Sequence, residues 1–206
     1  MYIPKHFSEE DISQILSFMK EFSFATIVSM QDSMPVATHL PFVIEERGDK
    51  IILVAHFARA NAQWKEIEQQ TVLVIFSEPH AYISPTHYET ELNVPTWNYV
   101  AVHAYGKVKL IDGHVAQIAV MEKTFHTFGP EYLEQWATLP HQYRDSLLER
   151  LANLVGRKRT EQQTSVGKNR KAAAVVQKTK ITPMRRAIAL LLQYPSLAQV
   201  MPVAPE

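Results

Sequence analysis

The chain has 206 residues, of which 46% are hydrophobic and 20% are charged, and its formal net charge is zero. This length and composition are typical of one globular domain with an appendage, or of two small domains. The absence of cysteine excludes disulfides, thiolate nucleophiles and cysteine-ligated metal centres. The sequence has no signal-peptide pattern and no apolar run long enough to span a bilayer, so we expect a cytoplasmic protein without membrane contact.

The neutral total hides an uneven distribution of charge. Residues 1–150 contain 11 basic and 19 acidic residues, for a net charge of −8, whereas residues 151–206 contain 10 basic and 2 acidic residues, for +8. All nine histidines and all three tryptophans lie in the first part. We therefore predict a first domain over residues 1–156 and a basic appendage over residues 157–206.

The first half of the chain is predicted to be mainly β. Ser8 is expected to begin an amphipathic helix, because three acidic residues follow it in the first turn. A short helix is predicted over residues 58–70. Strands are predicted over residues 23–30, 35–46, 50–57, 71–77, 79–85 and 93–110. About six strands at short spacing, with few helices between them, favour an antiparallel barrel.

The second half is predicted to be helical. Helical spacing of apolar residues predicts helices over residues 114–125 and 143–155. Residues 157–180 are basic and turn-like, which indicates a linker. A last helix is predicted to begin with Thr182 as N-cap and Pro183 in its first position.

Polar and aromatic side chains recur on the predicted strands, where a polar group without a partner costs about 2–7 kcal/mol to bury. Taken singly, such a residue is usually structural, and the aromatic row around Trp97 would also suit a dimer interface. Taken together, they would suit a planar heteroaromatic ligand, with aromatic rings on its faces and polar groups at its edge. The candidates are Thr38, His39, His56, Asn61, Gln63, Trp64, His80, Tyr82, Ser84, Thr96, Trp97, Asn98, Tyr99 and His103.

Recognised catalytic and metal-binding motifs are absent from the sequence. The histidines occur singly without metal-ligand spacing, so no metal site is predicted, and no catalytic residue is assigned. No glycine-rich nucleotide loop occurs. A ligand phosphate would instead be held by Arg59, by His56 or Asn61, or by the amide groups that open the predicted 58–70 helix.

Five stretches of the chain resemble one known family. They are MYIPKHF at residue 1, VATHLP, AHFARANAQW, EPHAYISPTHY and VPTWNYVAVHAYGK. In order and spacing they are similar to the PaiB family over residues 1–110, and the similarity is expected to extend to about residue 150. PaiB-like proteins are described as FMN-binding negative regulators of transcription, with a split-barrel fold akin to pyridoxamine-phosphate oxidases.

The resemblance implies a mainly β split barrel with flanking helices, which forms a homodimer through its sheet and holds FMN at the dimer interface. By the resemblance, residues 38–40, 56–64, 80–84 and 96–99 become candidate flavin contacts, which adds Leu40 and Ala58 to the residues named above. Three functions remain open: a flavin-dependent regulator, an FMN-dependent oxidoreductase of unknown substrate, and a haem-binding split barrel.

The C-terminal segment departs from the PaiB pattern beyond residue 156. Its last 25 residues or so faintly resemble a segment near the helicase-binding end of bacterial DNA primases. A natural fusion, an engineered or mispredicted join, and a divergent family C-terminus would each explain the change. Because residues 157–180 are basic, we expect any DNA contact there to be salt-sensitive and blind to sequence.

Overall fold

The structure is a computed structural model that describes residues 8–48, 50–88, 92–158 and 165–166. Within them the α-helices are α1 (Ile12–Glu21), α2 (His114–Phe128), α3 (Tyr132–Thr138) and α4 (His141–Leu148). The strands are β1 (Phe24–Gln31), β2 (Met34–Pro41), β3 (Val43–Arg47), β4 (Lys50–Ala58), β5 (Thr71–Ile83), β6 (Thr96–Leu110), β7 (Leu151–Lys158) and β8 (Ser165–Val166). Short 3-10 turns occupy Ala62–Lys65, Ile67–Gln69 and Pro85–His87.

The strands form a sheet in the order β2-β1-β5-β6-β7-β4-β3, and β8 pairs with β6. The registered pairs are antiparallel, as the sequence predicts. The described residues divide into two compact units, one within residues 8–78 and 99–166 and the other over residues 79–98. Strands β5 and β6 each contribute residues to both units.

The main hydrophobic core of the first unit lies against one face of its strands. In β4, Leu53 and Phe57 belong to this core, whereas Ile52 and Val54 join a second cluster on the opposite face. The alternation follows from the period of two along a strand. Val120 of α2 packs in the second cluster, so this helix covers part of the outer face.

Helix α1 begins three residues later than the sequence suggests. Asp11, and not Ser8, is the N-cap, because its carboxylate accepts a hydrogen bond from the backbone N–H of Ser13 at 2.9 Å. Hydrogen bonds from Ser13 also lower the pKa of Asp11. The predicted amphipathic face is confirmed, since Ile15 and Met19 are buried in the main core.

Three other elements of the first half differ in kind or number from the prediction. The predicted 35–46 strand is two strands, because β2 pairs with β1 as far as Pro41, whereas β3 begins at Val43 and pairs with β4. The predicted 58–70 helix is a pair of 3-10 turns. Strand β5 is continuous through Pro79, where two strands were predicted. Its registered pairing with β1 covers residues 73–75, so Pro79, which has no backbone N–H, lies outside that ladder.

The predicted 143–155 helix is wrong over its second half. Helix α4 ends at Leu148 and β7 follows, with Leu154 in the main core and Asn153 on the opposite face. Leucines in this segment fit a helical spacing as well as a strand, so the sequence alone did not separate the two. The sequence also missed α3, whose Trp136 is 3% exposed and packs against Phe125.

Most of the C-terminal appendage lies outside the described residues. Strand β7 continues through Lys158, two residues past the predicted domain boundary at 156. The predicted basic linker is described only at residues 157–158 and 165–166, and the predicted helix after Thr182 lies outside the described residues. The boundary, the linker and that helix therefore stay predictions.

We expect Leu154→Ala to lower the free energy of unfolding by about 3 kcal/mol, because Leu154 is 1% exposed and its truncation leaves a cavity in the main core. Urea unfolding measures the loss. Val115→Ala is the control, since Val115 is 81% exposed on α2. Equal midpoints for Leu154→Ala and the control would contradict the placement of β7 in the core.

Candidate functional site

A hydrogen-bonded network fastens the turn after β4 to strands β1 and β2. The Asn61 side-chain amide donates to the Thr38 hydroxyl at 2.9 Å, and this hydroxyl donates to the side-chain oxygen Oε1 of Gln63 at 2.6 Å. The Gln63 Nε2 donates to the Ser29 hydroxyl at 3.0 Å and to the Val36 carbonyl at 3.2 Å. Gln63 is 6% exposed. The predicted residues Thr38, Asn61 and Gln63 therefore lie together, and their polar groups satisfy one another.

The same turn presents a guanidinium group to solvent. Arg59 is exposed, and its guanidinium carbon lies 5.3 Å from the centre of the Trp64 ring. The indole N–H of Trp64 donates to the carbonyl of Arg59 at 2.9 Å, which fixes the ring relative to the backbone. Arg59 makes no ion pair with any residue in the described ranges. Its charge is therefore available to an anionic group.

His39 lies on the face of β2 opposite to Thr38. It pairs in register with Thr26 of β1, which in turn pairs with Ile75 of β5. The His39 ring lies 6.2 Å from the ring of Phe24 at an interplanar angle of 25°. The side chain of Phe24 is 68% exposed. The outer face of these strands therefore presents two nearly parallel rings to solvent.

An open depression of about 530 Å³ lies at these rings. Besides His39 and Phe24, its lining comprises hydroxyl-bearing, apolar and acidic residues, namely Ser23, Thr26, Ser77, Phe22, Ile75, Glu21 and Glu78. Two of the other neighbouring candidates do not contribute a functional group here. The side chain of Leu40 is part of the main core, and Ala58 ends β4 as an exposed methyl group.

His56 occupies the outer face of β4, directly across from Asn153 of β7. Asn153 is 1% exposed, and neither its amide nitrogen nor its amide oxygen has a hydrogen-bond partner in the described part of the chain. The same holds for Nδ1 of His56, and burial lowers the pKa of this imidazole. Unpaired buried polar atoms are costly, so this pair marks a place where a bound polar molecule would gain hydrogen bonds.

Asn153 is a candidate that sequence reasoning missed. The predicted 143–155 helix gives Asn153 no defined relation to His56. The signal was the alternation in LANLV, where Ala152 and Leu154 are buried in the core and Asn153 points to the other side.

His103 lies apart from His56, on β6 opposite Ser165 of β8. Its Nδ1 is buried without a hydrogen-bond partner in the described ranges, and burial lowers its pKa. Tyr99, four residues earlier on the same face of β6, is 45% exposed. The described residues contain no group of three or more His, Asp or Glu that could hold a metal ion.

The remaining candidates lie in the unit over residues 79–98. The Trp97 ring lies 5.5 Å from the His80 ring and 6.1 Å, edge to face, from the Tyr82 ring. Trp97 and Tyr82 are 55% and 54% exposed. This aromatic group matches the expectation that the strand around Trp97 presents rings.

The other predicted residues of this unit have local roles in the structure. Ser84 caps the turn at residues 85–87, since its hydroxyl accepts the Thr86 N–H at 3.3 Å. Thr96 begins β6 and is half-buried, as is Asn98. The sequence groups all of these with the residues of the first unit, whereas the structure assigns them to the second unit.

A protein-family model described as "Putative FMN-binding domain" matches residues 1–156. The chain belongs to this FMN-binding family. FMN is therefore its cofactor, and the resemblance to PaiB-like proteins is confirmed. No helix in the described part of the chain is long and apolar enough to cross a membrane.

Two relatives with curated names are similar to parts of this chain. "Protease synthase and sporulation protein PAI 2" of Bacillus subtilis (strain 168) is 46% identical over 113 residues, which are 54% of each chain. "Uncharacterized protein YKL070W" of Saccharomyces cerevisiae is 33% identical over 135 residues, covering 54% of this chain and 79% of that protein. The chain thus spans about half the length of PAI 2.

Solved structures with little sequence identity share the fold. The flavocytochrome Anf3 from Azotobacter vinelandii matches with a TM-score of 0.57 and 15% identity, over 88% of this chain and 86% of that one. The FAD and haem binding protein from Mycobacterium smegmatis matches with a TM-score of 0.53 and 12% identity, over 79% and 83% of the two chains. The predicted fold, a mainly β split barrel with flanking helices, is confirmed.

The lowered pKa of His56 predicts a loss of stability in acid. Unfolded His56 takes up a proton near pH 6.5, whereas folded His56 does so only at lower pH. Between the two values the unfolded state binds more protons, so the free energy of unfolding decreases as the pH is lowered, by up to about 1.4 kcal/mol per pH unit for one proton. His56→Gln should reduce this slope, measured by urea unfolding of the flavin-free protein between pH 7 and 5.

The control is His126→Gln, because His126 is exposed on α2. Its pH dependence should match that of the unsubstituted protein. If His56→Gln leaves the slope unchanged, the imidazole of His56 is not held in its neutral form by the fold.

Proposed function

We propose that the protein is a cytoplasmic, homodimeric flavoprotein that regulates transcription in response to the state of its FMN. The observation that carries the flavin position is the exposed pair of rings, His39 and Phe24, beside the depression lined by Thr26 and Ser77. When bound, FMN supplies reversible electron transfer. The residues of the chain bind it, orient it and shield it from water.

The chemistry of the residues around the depression fits the flavin ring. A planar ring system gains contact from the exposed faces of Phe24 and His39. The hydroxyl groups of Thr26 and Ser77 can donate or accept hydrogen bonds at the polar edge of the ring. The ring nitrogens of His39 can also take part in hydrogen bonds at this edge.

Arg59 fits the flavin phosphate. Its guanidinium group has five N–H donors in a planar arrangement that matches phosphate oxygens. The hydrogen bond between Asn61 and Thr38 holds the Arg59 turn beside the part of β2 that carries His39. Because β2 is the last strand at this end of the sheet, a ligand can extend from its outer face around its edge to the turn.

A second copy of the chain fits the outer face of β1, β2 and β5. Phe24 and Met30 are 68% and 46% exposed on this face, and Val28 lies between them. An exposed apolar face of this kind is typical of an interface, and a partner there would close the depression around the ring.

Light scattering should give twice the mass of the chain; the mass of a monomer would contradict this part of the proposal.

We expect Arg59→Gln to weaken FMN binding about tenfold while leaving riboflavin binding unchanged, because riboflavin lacks the phosphate that Arg59 would pair with. Quenching of flavin fluorescence measures both affinities. Arg47→Gln is the control, since Arg47 is also an exposed arginine of the first unit, pairs with Glu45 on β3 and does not line the depression. An equal change for the two flavins, or no change, would remove Arg59 from the phosphate site.

The regulatory role and its rival, an FMN-dependent oxidoreductase, predict different behaviour of the flavin-loaded protein. For a regulator we expect salt-sensitive binding to duplex DNA and no steady oxidation of NADH or NADPH. The predicted basic linker, residues 157–180, is the proposed DNA contact. Sustained turnover of either nucleotide would favour the oxidoreductase, and a Soret band in the purified protein would favour the haem-binding alternative.

A further inference from the structure

A second groove, of about 780 Å³, lies in the first unit on the outer face of the β6, β7, β4 and β3 strands. Its volume lies within the range of about 300–1,000 Å³ that is usual for small-molecule sites. It shares no lining residue with the depression at His39 and Phe24. The proposed flavin position therefore leaves this groove without an assigned ligand.

The floor of the groove is apolar. Ile52 of β4 and Val155 of β7 line it, together with Ile111, which follows β6. Ile52 is buried, whereas Val155 and Ile111 are half-buried and pack at the margin of the second hydrophobic cluster. An apolar body placed here would cover partly exposed aliphatic side chains and gain free energy from their removal from water.

The rim of the groove is basic. Lys107 and Lys109 project from the same face of β6, about 7 Å apart along the strand. Lys50 lines the groove from β4, and it pairs in register with Arg47 of β3.

Within the lining of the groove, positive charge exceeds negative charge. Arg47 is already bonded to Glu45 at 2.6 Å, whereas Lys50, Lys107 and Lys109 form no ion pair within the described ranges. Among the described residues that line the groove, Asp112 is the acidic one. Three cations therefore face the groove with one opposing carboxylate.

We infer that this groove binds a small organic anion with an apolar body. A carboxylate or phosphate head would pair with Lys107 and Lys109, and an aliphatic body would lie on Val155, Ile111 and Ile52. An inorganic ion would leave the apolar floor uncovered. A neutral apolar molecule would leave the lysines without a counter-charge.

Isothermal titration calorimetry on the FMN-saturated full chain tests the inference with four probes. Decanoate and decyl phosphate carry both parts, inorganic phosphate carries only the charge, and decanol carries only the apolar chain. We expect saturable binding of decanoate, decyl phosphate or both, at least about tenfold tighter than either half-probe. Whichever of the two binds better identifies the head group as carboxylate or phosphate. The inference would be overturned if decanol bound as tightly as the better amphiphile, or if neither decanoate nor decyl phosphate bound.

The double variant K107E/K109E should weaken binding of the better amphiphile by about tenfold or more, because it replaces two attractive charges by two repulsive ones. The control K20E/K65E has the same change in net charge on exposed lysines that do not line the groove. Equal affinity of the two double variants would show that net charge alone attracts the anion.

Competition separates this inference from the proposed flavin site. Because the protein is saturated with FMN, a probe bound at a separate groove should not release the flavin, and flavin fluorescence monitors this. Release of FMN in proportion to the bound probe would mean that the groove is the flavin site itself. Duplex DNA that displaces decanoate, with DNA affinity lost in K107E/K109E but not in the control, would mean that the groove serves a nucleic acid instead.

Discussion

The buried side-chain amide of Gln63 determines where the turn after β4 lies. Its donors and acceptor reach a hydroxyl on β1, a carbonyl on β2 and the hydroxyl of Thr38, so three segments distant in sequence share one set of hydrogen bonds. A buried amide left unpaired would cost about 1–3 kcal/mol, which makes other positions of the turn unfavourable. Arg59 and Trp64 are presented to solvent as a consequence of this attachment.

The period of two along each strand distributes the polar candidates over separate surfaces. Thr38 and His39 are neighbours in sequence, yet Thr38 turns to the Gln63 network and His39 to the outer face beside Phe24. On β4, His56 projects away from the core that Phe57 enters. Neighbouring residues of one motif therefore lie on opposite faces of the sheet, where their side chains contact different groups.

Fold class was predictable because turn residues and alternating apolar residues repeat over short distances. The family was predictable because its motifs consist of residue identities, which the sequence states directly. Long-range pairing was not predictable in this way. The segment around Leu154 fits a helix or a strand by its leucine spacing, and only its ladder with β4 decides between them. Asn153 became a candidate for the same reason: its relation to His56 exists only across that ladder. The capping error at Ser8 is smaller, because Asp11 offers the same chemistry three residues later.

The ladder between β4 and β7 joins positions nearly a hundred residues apart, such as His56 and Asn153. Contacts of this separation form late, since a long loop must close before they yield any free energy. During synthesis β4 emerges from the ribosome long before its partner β7. Until β7 appears, one edge of β4, with its buried apolar residues, has no native strand beside it. The nascent chain thus passes through an interval in which an unpaired hydrophobic edge is open to wrong pairing, and the rate of translation through residues 59–150 sets how long that interval lasts.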